Sequence, residues 1–189
     1  MKRGILLLTT ACALFAACSK PATETAAVET AVDATVRGAE LLAPFKSDLK
    51  QALTSGMQEG PAAAIEVCSE LAPRIAASLS VDGVKMGRSS HKLRNPANAP
   101  EPWVRLIMMA YLEQPNEREP VAVRLENGHI GYVEPIILQP MCTTCHGEMV
   151  AEPLARQIAE LYPDDAAMGF SAGDLRGVFW AEFDPATEP

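Results

Sequence analysis

The 189-residue sequence predicts an α+β domain built around an antiparallel sheet. Two amphipathic helical stretches come first, a hairpin signal lies at 120–138, and an alternating apolar run closes the domain. There is no β-α-β alternation and no internal repeat, so a parallel, doubly wound sheet is excluded.

Residues 35–56 carry Val36, Leu41, Leu42, Phe45, Leu49 and Leu53 at spacings that line one helical face, with Gly56 as the expected stop and Pro44 as a potential kink. A second helix follows Gly60, with Pro61 at its first position. Its apolar face runs through Ile65, Cys68, Leu71/Ala72, Ile75 and Leu79, so Cys68 points inward, and Pro73 bends the helix just beyond it. Val81-Asp82-Gly83 turns into a short strand, Val84 to Gly87, followed by a long Pro/Asn-rich loop over 87–102. Pro102 opens a third helix, from Trp103 to about Gln114. At 120–138 the period changes: Val121, Val123 and Leu125 alternate, Asn127-Gly128 supplies the turn, and Ile130, Tyr132 and Ile136-Ile137-Leu138 follow. Pro153 to Tyr162 read as a short helix and Asp174 to Phe183 as the last strand.

The N-terminus reads as a targeting segment. Lys2 and Arg3 precede an apolar run, Ile5 to Leu14, that is short of the about 20 residues a transmembrane helix needs. Phe15-Ala16-Ala17-Cys18 resembles a bacterial lipoprotein cleavage box, with lipidation expected on Cys18. Residues 1–17 are therefore expected as a signal peptide, 18–34 as an Ala/Thr/Glu-rich tether, and 35–185 as the folded domain. Export to the periplasm follows, and Ser19 after the cysteine points to the outer rather than the inner membrane. Formal charge is −8, or −10 without Lys2 and Arg3. So acidic a chain has no electrostatic footprint for nucleic acid, attaches to membrane by the lipid alone, and suits a partner with a basic face.

The motif that carries chemistry is Cys142-Thr143-Thr144-Cys145-His146, the c-type haem attachment sequence. Two thiols at this spacing can each add across a haem vinyl group, and the adjacent His146 is then the proximal iron ligand. A zinc site would need a second ligand pair, and a thioredoxin-like CxxC a β-α-β setting; neither is present. One covalent haem c is the expected cofactor.

Of the five cysteines, Cys12 leaves with the signal, Cys18 is the lipid site, and Cys142 and Cys145 hold haem. Cys68 remains without a disulfide partner. Core packing is the ordinary role of such a residue, while an iron seeking a sixth ligand offers another. The rivals are weaker. His91 lies in the long loop and is expected on the surface, and His129 is expected at a solvent-facing hairpin tip. Met149 is too near His146 to cross the haem plane, Met168 sits in a turn-rich run, and Met86, Met108, Met109 and Met141 suit core or wall positions.

Four stretches, GPAAAIEVCSELAP (60–73), GRSSHKLRNPANAPEPW (87–103), CTTCHG (142–147) and YPDDAAMGFSAGDLRG (162–177), together resemble the PAS-like single-haem c-type family, the Tll-type haem domain. The resemblance implies a PAS-like antiparallel sheet flanked by helices, covalent haem, and Cys/His axial ligation in which Cys68 matches the family's cysteine. It also places Arg88, Arg94, Asn95, Asn98 and Arg176 in family-like stretches. Because haem propionates favour bidentate arginine, Arg94, with Asn95 and Asn98, is expected at the haem edge or its propionates, against the alternative of solvated surface side chains.

Two functions from different classes follow. The first is a redox or ligand-responsive haem sensor, in which reduction weakens the Cys68–iron bond and opens the distal face. The second is a periplasmic single-haem electron carrier. A peroxidase-like or other enzymatic role comes third: His91 is the one candidate for a distal acid/base group, so an enzyme is not expected, and a redox partner or signalling protein is.

Overall fold

The computed structural model describes residues 22–185. The expected signal peptide and the lipidation site, Cys18, lie outside the described residues. The first helix, α1, covers Ala22–Glu59. It takes in much of the segment expected as a tether, since Ala and Glu are strong helix formers whatever their tertiary setting. Pro44 stays inside it. Gly56 is not its stop: a Cβ there would meet the Ala64 backbone at 3.0 Å, so this glycine is a point of close approach to the next helix. The chain turns instead at Gly60, whose φ of 124° an L side chain rarely adopts.

The expected second helix is three pieces: α2 (Pro61–Glu66), a π-helical turn (Val67–Leu71) and α3 (Ala72–Leu79). Strand β1 (Lys85–Ser89) begins one residue later than predicted and runs further. Helix α4 is Pro102–Glu113, and β2 (Val121–Arg124) and β3 (Ile130–Ile137) form the hairpin around Gly128 at φ 85°. Helices α5 (Thr143–His146) and α6 (Glu152–Leu161) precede β4 (Leu175–Phe183). None of the described helices is long and apolar enough to cross a membrane.

The sheet is antiparallel, ordered β1-β4-β3-β2, so the last strand is inserted between the first and the hairpin. This is the predicted α+β architecture, a PAS-like sheet with helices on both faces. Period-2 alternation sends Met86, Ile130, Tyr132, Ala181 and Phe183 toward α1, where Leu42, Phe45 and Leu49 meet them. Gly38 lets the Tyr132 ring lie flush on α1, since any side chain at that position would collide with the ring. The opposite face packs Val133 and Val178 on Val104, Met108 and Tyr111 of α4. Phe45 is 1% exposed, and its truncation to alanine would cost about 3–5 kcal/mol on the usual cavity scale.

The β3–β4 register slips between Ile136, opposite Gly177, and Ile137, opposite Leu175. Arg176 is the extra residue of this bulge. Leu175 thereby joins the α4-side core, and Arg176 is freed from the alternation that would have placed it on the same side as Val178.

Candidate functional site

Beyond the Phe45–Phe179 edge-to-face contact (centroids 5.5 Å apart), α1 and the sheet diverge around a cavity of about 410 Å³. That volume lies within the range of small-molecule and cofactor sites. Leu49 and Leu53 of α1 roof it, and Ile136 and Phe179 form its floor. Cys68 lies on its wall together with Cys142, Cys145 and His146. Four residues separated by up to 78 positions in the chain are thus brought to one space.

The CxxCH segment is held by its backbone. A 3-10 turn (Pro140–Cys142) leads into α5, and Thr143 Oγ1 donates to the Pro140 carbonyl at 2.7 Å. Gly147 follows because a Cβ there would run into the Thr143 carbonyl oxygen. The Phe170 N–H donates to the His146 carbonyl at 2.9 Å, and the Gly169 N–H to that of Gly147 at 3.1 Å. Both thiols are half-buried, with Cys142 against Leu138, Ala167 and Phe170, and Cys145 against Ile65 and Leu154.

His146 has one nitrogen assigned by its surroundings. Nδ1 lies 2.7 Å from the Ala167 carbonyl, which can only accept, so Nδ1 carries the hydrogen and Nε2 keeps its lone pair. Burial, assisted by Arg176 and Arg94, pushes its pKa down to about 3, so the ring is the neutral, metal-binding form. Burial likewise raises the Cys145 thiol above its ordinary value.

Cys68 stands on the π-helical turn. Pro73 has no N–H to offer, and the helix widens just before it: the Ala72 N–H reaches the Val67 carbonyl, five residues back. In that pattern the Cys68 carbonyl would look to residue 73 and find proline. Arg88 Nη2 donates to it instead, at 3.2 Å.

Arg94 lines the cavity, and two of its three side-chain nitrogens are engaged by the protein. Its Nε and Nη2 lie 3.2 and 3.0 Å from Asp165 Oδ2, and Nη2 also reaches the carbonyls of Cys145 (2.6 Å) and Ala167 (3.4 Å). These contacts make Arg94 a clamp on the CxxCH segment at the cavity wall. Asn95 and Asn98 line the cavity, with Asn95 Oδ1 accepting from the Ala97 N–H at 2.9 Å.

The family model for Tll0287-like proteins matches residues 18–183. The chain belongs to the Tll0287-like family. Among solved structures, the fold resembles that of the cyanobacterial heme-protein Tll0287, with a TM-score of 0.55 and 23% identity over 90% of this chain and 99% of that one. No curated protein matches.

In this family member most of the rival candidates fall outside the cavity. His129 is paired with Glu182 (3.0 Å) and Asp184 (3.3 Å) at the hairpin tip. His91, expected on the surface, is half-buried edge-on to Phe170, its centroid 5.7 Å away and its Nδ1 shut off without a partner. Burial first, then Lys92 and Arg176, lower its pKa. Met149 and Met168 are exposed, and Met86 and Met108 are core. Met141 and Met57 do line the cavity. Met57 escaped notice in the sequence because it follows Gly56, where the helix was expected to end. Asp165, the partner of Arg94, was also missed; its one local signal is the Asx-type turn in which Oδ1 accepts from the Ala167 N–H at 2.8 Å.

Proposed function

We propose that this chain is an exported c-type haem protein with Cys/His axial ligation, acting as a redox or ligand-responsive sensor. The observation that carries the reading is the meeting of Cys142, Cys145, His146 and Cys68 at one cavity. The chemistry of the wall fits the group. Its apolar roof and floor suit a porphyrin face, and its charged lining residues are cations, with no carboxylate among them. An apolar body with anionic ends is the ligand such a wall selects. The likeness to a structure described as a heme-protein supports the same cofactor.

Bound here, haem would supply a one-electron redox centre with two axial positions on its iron. Cys142 and Cys145 would hold it covalently, and His146 Nε2 would be the fixed proximal ligand, locked by the Ala167 carbonyl. Cys68 would be the exchangeable one. Its sulfur has no disulfide partner, and its backbone sits in a widened turn. Withdrawal of that sulfur is the two-state element a sensor needs. A second reading, a periplasmic electron carrier, draws support from Met141, which is 46% exposed beside Cys142 and brings the attachment edge close to the surface. In both readings the partner is a redox or signalling protein with a basic face, and catalysis is not proposed.

The test has two stages. Colour should survive acid-acetone extraction and be lost or become extractable in C142A/C145A. The reduced protein is then mixed with carbon monoxide. Rapid binding supports sensing, and the absence of binding supports the carrier.

A further inference from the structure

Every charged residue on the cavity wall is a cation, in a chain whose formal charge is −8. Three of the five are accounted for. Lys46 pairs with Glu134, Arg94 pairs with Asp165, and Lys50 is solvent-exposed on α1. Arg88 and Arg176 have no carboxylate partner among the described residues.

These two arginines are neighbours on the cavity wall. Arg88 is on β1 directly opposite Phe179, on the same face as Met86. Arg176 is the bulged residue of β4, re-aimed toward the cavity side by the register slip. Its Nη1 reaches Ser90 Oγ at 2.7 Å and the Lys92 carbonyl at 3.2 Å, while its Nε is buried with no partner. Arg88 spends one nitrogen on the Cys68 carbonyl. Burial and the proximity of Arg88 and Arg94 lower the Arg176 pKa to about 10, the mark of positive charges crowded together in a desolvated wall. A fold that bulges a strand to half-bury a guanidinium beside another, with no carboxylate in direct contact, incurs a cost that an anionic ligand offsets.

We infer that Arg88 and Arg176 are the pair that holds the two carboxylates of the cofactor, and that Arg94 is a positioning residue for the CxxCH segment that does not touch them. This assignment rests on the haem reading above and refines its site. Guanidinium suits the task because its planar fork meets a carboxylate with two parallel hydrogen bonds.

The experiment uses the haem-loaded protein and reads the propionate bending bands by resonance Raman spectroscopy. R88Q and R176Q should each shift those bands while the haem stays covalently attached. R94Q should leave the bands in place and lower the denaturation midpoint. Should a glutamine variant fail to fold, R88K and R176K serve: lysine keeps the charge but not the fork, so the bands should still move. Bands unmoved in the variants of both residues, or moved only by R94Q, overturn the assignment and leave the haem reading intact. An unaltered protein that carries no haem overturns both.

Discussion

Arg94 and Asp165, 71 residues apart, form an ion pair with Nη2 3.0 Å from Oδ2 in which both side chains are more than nine-tenths buried. The pair joins the long loop after β1 to the turn before β4, and Arg94 carries the tie onward to the Cys145 carbonyl. Its position makes it the clasp of the CxxCH segment.

Breaking that clasp from one side leaves a buried charge alone. R94Q or D165N should each cost about 3–5 kcal/mol in urea denaturation. The double variant should lose less than the sum of the two. Losses under 1 kcal/mol would show that the pair is effectively solvated.

Cys68→Ala tests the proposed distal ligand. Thiolate donation stabilises ferric iron, so the variant should show an altered ferric spectrum and a raised potential. Cys68→Met should regain six-coordination at a higher potential than the native protein. An unchanged spectrum and potential would make Cys68 a packing residue and bring Met57, which shares the cavity, to the front.

Alkaline pH should destabilise the fold. Burial, with Glu134 nearby, raises Tyr132 to about 12 and raises Tyr111 further still. Above pH 10 the unfolded chain releases phenolic protons that the folded chain retains, so the unfolded state gains. The phenolic contribution to stability should therefore be level below pH 10 and fall, by about 1.4 kcal/mol per pH unit for each ring, as pH rises toward 12. Y132F should flatten that fall in a plot of denaturation midpoint against pH.

Cys18→Ala tests the proposed anchor. The native product should partition into detergent and carry lipid on Cys18, and the variant should be soluble or unprocessed. A native protein that stays in the aqueous phase, with its mature N-terminus elsewhere, would refute anchoring.

By itself the sequence determined the α+β class, the hairpin around Gly128, the helices at 102–113 and 152–161 to within a residue or two, and the CxxCH motif. These depend on periodicity, turn chemistry and covalent spacing, which are local. It also singled out Cys68, because counting cysteines needs no coordinates. What only the tertiary structure decided is non-local or set by backbone detail. Gly56 reads as a helix stop and serves as a contact between helices, because propensity does not register that Ala64 of the next helix leaves no room for a side chain there. His91 reads as exposed and is half-buried, because Phe170 reaches it from 79 residues downstream. The three arginines look alike in sequence. A carboxylate brought from a distant turn commits Arg94, while a one-residue slip between β3 and β4 turns Arg176 toward the cavity with Arg88 beside it. Long-range pairing decides which charges are compensated, and no local pattern encodes it.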